Sequence, residues 1–322
     1  MSDISDPELD ALLREIDEMV ARRDWNGLVA LRDRARSAHE RGKQQWPAAA
    51  HAEYRLALEA PAPYAGAVIV EGAGRFALGP LAEVAASTHS WAELDIHVPG
   101  GPLRTIVVHE CIVRADLTAY DHGDPRVLPI PLALQSWEPL YPVATYGADE
   151  ADFPAPAFPP LTEVELPPPP PESSTDVDEA RALRDLVATW LAESNGRAHA
   201  VGVHGSAFAA VAALGARTAR AARLTPADAM ALMAWVGASG GAEGHRRGMA
   251  WGRFLAWECA AVLAGVEIDQ LGDVVDDLDW YVWDSFEPAI GWSLRLAVED
   301  PHNEVAWAIE ATDQAGPSTR SR

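Results

Sequence analysis

The feature that most constrains this chain is a proline-rich, acidic stretch from Tyr120 to Asp176. It holds 14 of the 25 prolines, including the run Pro167–Pro171, and Arg126 is its one arginine or lysine. Proline lacks an amide donor and fixes φ, so such a stretch cannot supply helix interiors or central strands. Its polyproline bias makes it a spacer or a surface wrap. The expected layout is therefore a helical domain over residues 1–118, a proline-rich acidic connector over 119–176, an α+β domain over 177–314 and a disordered tail over 315–322. On that reading a protease cuts between Ala148 and Glu172 and releases two folded fragments.

At 322 residues with 48% hydrophobic content, the chain is long enough for two domains that each bury a core. Its formal net charge of −23 opposes binding to nucleic acid or to an anionic membrane. The same charge suits a basic protein partner. Lys43 is the single lysine against 24 arginines, which genome composition explains. Cys111 and Cys259 lie on opposite sides of the connector and form no CxxC pair, so reduced, buried thiols are expected. The opening Met-Ser-Asp-Ile-Ser-Asp-Pro-Glu lacks an apolar signal core, and the longest apolar helix, near Met249–Val266, carries Arg253 and Glu258. Both point to the cytoplasm rather than to export or a membrane.

Hydrophobic spacing predicts short helices through the first half. Asp6-Pro7-Glu8 starts one, with Leu9, Leu12, Leu13, Ile16, Met19 and Val20 at helical intervals. A second runs from Trp25 to Arg41 with Gly42 as its stop. Others fall near Pro47–Glu59, Tyr64–Glu71, Leu78–Thr88 and Leu103–Arg114, and Ser90-Trp91-Ala92-Glu93 fits a capping box. The short connectors suggest stacked antiparallel pairs, either a small HEAT-like array or an irregular bundle.

In the second half Thr175 or Asp176 caps a helix to Ala192, and Arg197–His204 reads as a strand. Ser206 caps an alanine-rich helix, and Thr225-Pro226-Ala227-Asp228 opens another. A long helix follows the glycine-rich Gly237–Gly244 segment. Strands are expected over Asp279–Phe286, Ile290–Val298 and Val305–Thr312. The fold class is thus α+β, with a C-terminal antiparallel sheet carrying helices on one face.

The run from Gly237 to Gly248, then Gly252-Arg253, Gly291-Trp292 and, more weakly, Val108-His109-Glu110, resembles a family of uncharacterised actinobacterial proteins. The resemblance implies a bacterial cytoplasmic origin. That family has no assigned activity, so no functional residue is carried over.

Candidate chemistry concentrates in the same run. Gly240, Gly241, His245, Arg246 and Arg247 place glycines and two guanidiniums at an expected helix N-terminus, where backbone amides can hold an anion. No GxGxxG pattern and no Walker lysine accompany them. Small residues recur at every fourth position from Gly244 through Gly248, Gly252, Ala256 and Ala260 to Ala264, which lets a neighbouring element approach closely. Gly248 and Gly252 are therefore candidates for packing or an interface, and Arg253, one position on, is expected to tolerate alanine. Trp280, Trp283 and Trp292 are interface candidates too, since a sheet covered on one side leaves some rings exposed.

Other patterns fall short. His204-Gly205-Ser206 lacks the flanking glycines of a nucleophile elbow, and His109-Glu110 lacks a second histidine at Val113. His199 and His204 point to opposite strand faces, and the acids from Glu267 to Asp279 lack calcium-loop spacing. No catalytic residue, metal ligand or cofactor is assigned. The expected function is a cytoplasmic, non-enzymatic protein-interaction or regulatory subunit, open to oligomerisation. The alternatives are an enzyme or nucleotide or anion sensor with a site near Gly240–Arg247, and an acidic immunity or nucleic-acid-mimic protein.

Overall fold

Pro7 opens the first helix because its missing amide would be unpaired there anyway. The computed structural model describes residues 7–40, 45–120, 122–287 and 291–315. Asp6, Gly42, Ile290 and residues 316–322 of the expected tail lie outside the described residues. The chain divides into two compact units, Met1–Val127 with Val143–Phe153, and Leu128–Pro142 with Pro154–Arg322.

The first unit is helical. It contains α1 (Pro7–Ala21), α2 (Trp25–Glu40), α3 (Trp46–Glu59), α4 (Ala62–Ala67), α5 (Leu81–Ala86), α6 (Trp91–Leu94) and α7 (Pro102–Val113). Ile16, Met19 and Val20 of the predicted α1 stripe are buried, as are Leu28 and Leu31 of α2. The capping box at α6 is formed: Glu93 accepts from the Ser90 amide at 2.8 Å. After three helices of 14 to 16 residues come helices of six, six and four, an irregular bundle rather than an even array. Its interior is unusually polar, with Glu53, Arg55, Glu83, His109 and Glu110 all buried. A short ladder of β1 (Thr145–Tyr146) with β2 (Ala151–Asp152) completes the unit, tied in by Tyr146, whose hydroxyl donates to Glu83 at 2.7 Å.

The second unit is built on a six-stranded antiparallel sheet. Its strands are β3 (Thr162–Val164), β4 (Arg197–His204), β5 (Ala219–Leu224), β6 (Asp279–Asp284), β7 (Trp292–Asp300) and β8 (Val305–Asp313), in the order β3-β5-β6-β7-β8-β4. The expected helix to Ala192 is two, α8 (Asp178–Asp185) and α9 (Ala188–Glu193), and α10 (Ala207–Ala213) follows β4. Then come α11 (Pro226–Ala238), α12 (Met249–Ala264) and the single turn α13 (Leu271–Val274).

Helices cover both faces of this sheet, not one. The alanines Ala297, Ala306 and Ala308 share a face with Trp283, and their small side chains let the alanine-rich α10 settle close. The other face, with Trp280, Leu294, Leu296 and Ile309, lies under the layer to which α8, α9 and α11 belong. Two strands of this sheet were not expected, nor were β1 and β2 of the first unit. β3 lies inside the proline-rich stretch, and β5 reads as helix by its alanine and arginine content. Among the described residues no single helix is long and apolar enough to cross a membrane.

The stretch 119–176 is shared between the units. Residues 128–142 belong with the second, 143–153 with the first, and the chain from 154 with the second again. Prolines flank β3 on both sides, so the edge of the sheet is short and poor in donors, which discourages pairing with other chains.

Candidate functional site

The glycine–arginine segment is a loop, not a helix start. It leaves α11 at Ser239 and reaches α12 only at Met249, with Gly241 at φ +74° and Gly248 at φ +93°. Its amides do hold anions, but the anions are the protein's own. The Ala242 amide donates to Asp313 Oδ2 at 2.6 Å, and the His245 amide donates to Glu193 Oε2 at 3.1 Å. The Gly241 amide donates to Ser239 Oγ at 3.0 Å and the Glu243 amide to Ser194 Oγ at 3.1 Å. A side-chain carbon on Gly241 would collide with the Asp313 carboxylate, and one on Gly240 with the Gly244 carbonyl. The glycines therefore let the loop wrap a carboxylate at the end of β8.

The charged residues of this loop are also engaged. His245 Nδ1 sits 3.0 Å from Glu193 Oε2, and the His245 amide and ring hold that carboxyl below the usual glutamate range. The Arg247 guanidinium lies 4.6 Å from the Trp251 ring centroid, and burial lowers its pKa. Arg246 is half-buried beside it. The structure thus brings Gly240, Gly241 and His245 together around internal acids. It does not turn the two arginines into a fork over a vacant amide nest.

Two of the tryptophan interface candidates lie in the core. Trp280 is 0% exposed and Trp283 is 2% exposed. Both are buried despite lying on opposite faces because each face has its own helices. Trp292 is half-buried, its ring centroid 4.6 Å from that of Trp235 on α11. Gly252 is pressed on α11, where a side-chain carbon would collide with the Ala234 carbonyl and come within 2.9 Å of Ala238 Cβ. Gly244 and Gly248 precede α12, so the small-residue ladder operates as a helix face only from Gly252 onward. Ser206 caps α10 in place of a nucleophile, accepting from the Ala209 amide at 3.3 Å.

Sequence reasoning missed a buried, heavily bonded pair in the second unit. Arg253 and Glu138 form an ion pair with both side chains 0% exposed, through Nε and Nη2 at 2.7 Å each. Glu138 also accepts from Trp257 Nε1 at 2.9 Å, the Tyr141 hydroxyl at 2.6 Å and the Gln135 amide at 2.9 Å. Arg253 reaches further to the carbonyls of Leu132 and Ala133. The expected tolerance of Arg253 to alanine is therefore overturned. A lone arginine in an apolar helix was the available signal, since a buried guanidinium needs a buried acid.

A family of unknown function (DUF6183) matches residues 10–315. The chain belongs to that family. No curated protein and no solved structure matches it. The matched span covers most of both units and includes the Glu138 segment and the loop around Asp313.

Several surface features stand out among the described residues. In the second unit His204 lines a cleft of about 730 Å³ with Trp307, Ser174 and Glu179. In the first unit a cleft of about 500 Å³ is walled by Trp46 and Phe76, with Arg36, Arg75 and Glu53. Also in the first unit, Ile96 is 85% exposed and Leu117 is 68% exposed. Among the described residues no group of three or more histidine, cysteine or carboxylate side chains could hold a metal ion.

Proposed function

We propose that this protein is a cytoplasmic, non-enzymatic interaction or accessory subunit that docks a basic protein partner. The observation that carries the reading is the pair Ile96 and Leu117, large apolar side chains held in the open on fixed backbone. Asp116 accepts from the Trp91 amide at 2.5 Å and the Thr118 amide at 2.9 Å, while Thr118 Oγ1 accepts from the Ala92 amide at 3.2 Å. These bonds tie the start of α6 to the turn that carries Leu117. The turn that carries Ile96 is held by Arg104, which donates to the Asp95 and Val98 carbonyls. Both lower the ordering cost of binding. The net charge of −23 favours a basic partner and disfavours nucleic acid and anionic membranes. Two buried free cysteines agree with a reducing compartment. The anion-sensor reading of Gly240–Arg247 has less support, because Asp313 and Glu193 already occupy that loop.

The test is affinity capture from the native cell with the natural protein and with the Ile96→Asp/Leu117→Asp variant. A partner held by the first and released by the second, with unchanged melting temperature and loss at high salt, supports the reading. Identical capture by both, or no specific capture by the natural protein, overturns it.

A further inference from the structure

The cleft walled by Trp46 and Phe76 has a built chemistry that the docking reading does not use. Its volume of about 500 Å³ is in the range of small-molecule sites. Trp46, the first residue of α3, meets Phe76 with ring centroids 3.8 Å apart and planes inclined at 43°, giving a continuous aromatic wall. Ala49 and Ala50 lie beside it and keep the space open.

The charges are arranged with equal care. Glu53 is 2% exposed and both of its oxygens are engaged: Arg36 Nε donates to one, and the Gly74 amide donates to the other at 2.6 Å. Gly74, at φ +66°, makes the turn that lets this amide point inward. Glu53 therefore positions the turn that carries Arg75 and Phe76, and its own charge is offset by Arg36. Arg75 remains as the cation of the cleft, its guanidinium carbon 5.6 Å from the Phe76 ring centroid. In a chain of net charge −23, a cleft whose charged lining is Arg36, Arg75 and Glu53, with Arg36 offset by Glu53 and Arg75 left over, is a local inversion of sign.

We propose that this cleft binds a small aromatic carboxylate. The ring packs on the Trp46–Phe76 wall over Ala49 and Ala50, and the carboxylate meets Arg75 and the Nη edge of Arg36. Guanidinium forks pair with carboxylates bidentately, and the aromatic wall supplies area without charge.

Titration calorimetry on the full chain with benzoate, 1-naphthoate and indole-3-acetate, each against its matched alcohol, tests this. At least one acid binds saturably and more tightly than its alcohol. Arg75→Gln weakens that binding by roughly tenfold or more, the loss of one charge-assisted contact, and leaves the melting temperature unchanged because Arg75 is exposed. Phe76→Ala also weakens it, whereas Ile96→Asp/Leu117→Asp does not. No preference for acid over alcohol across the set, or binding indifferent to Arg75→Gln, overturns the proposal.

Discussion

At the scale of the residue, the Arg253–Glu138 pair decides more than any other group. Taking two charges out of water costs several kcal/mol each, which the pair offsets with the help of its further bonds. Arg253 donates to the Leu132 and Ala133 carbonyls, and Glu138 accepts from Trp257, Tyr141 and Gln135. Removing one partner leaves a bare buried charge. Arg253→Ala is therefore expected to cost about 3–5 kcal/mol in urea unfolding, against a much smaller loss for an exposed pair such as Arg126 with Asp124. The same site contributes to acid behaviour. Burial alone would raise the pKa of Glu138, but the hydrogen bonds and charge of Arg253 overcome it and hold the carboxyl below the ordinary glutamate range. A carboxyl whose folded pKa is depressed contributes stability at higher pH. That contribution starts to fall near the unfolded value of about 4.3 and is lost as pH drops through the folded pKa. Unfolding free energy measured from pH 7 down to pH 3 should show an acid slope in the natural protein. Glu138→Gln should make it shallower without removing it, because carboxyls such as Glu193 and Asp284 are depressed too.

At the scale of the element, two glycines on one apparent ladder work for different reasons. Gly252 lets α12 approach α11, and Gly237 of α11 answers it, a side-chain carbon there lying 3.4 Å from Gly252 Cα. Gly252→Leu overpacks that crossing and is expected to cost about 1–3 kcal/mol or more. Gly248 has φ +93° and ψ 159°, a backbone region open almost solely to glycine, so even Gly248→Ala costs about 1–3 kcal/mol by strain. Chemical denaturation of the two variants checks both. The helices themselves were legible where caps and periodicity agreed, as at Ser90 to Glu93 and Thr225 to Asp228, and β7 and β8 were legible as the strands expected over Ile290–Val298 and Val305–Thr312. β5 was not, because Ala-Arg-Ala-Ala-Arg-Leu favours helix locally. Tertiary pairing decides it instead, with Arg220 bonded to Asp284 and Arg223 to Asp279 on the adjoining strand. The glycine loop was legible as an anion holder, but nothing local says that Asp313, some seventy residues on, supplies the anion.

At the scale of the whole molecule, the chain passes between the two units more than once. Composition marked 119–176 as a spacer, and proline content alone cannot tell a spacer from a strap carrying one buried acid. A glutamate-specific protease should still cut after Glu165 or Glu172, both exposed. The fragments should then travel together in size exclusion and separate only in denaturant, because the N-terminal piece carries Glu138, locked on Arg253. Fragments that part in native buffer would mean that residues 128–142 release easily. The same crossing bears on how such a gene can change. A recombination event in the proline run, the natural seam by composition, would hand Glu138 to one descendant and Arg253 to the other, leaving a guanidinium sealed in a core without its acid. The two units are therefore expected to be inherited as a single block, and shuffling that exchanges one without the residues 128–142 or 143–153 that belong to it should yield unfolded chains.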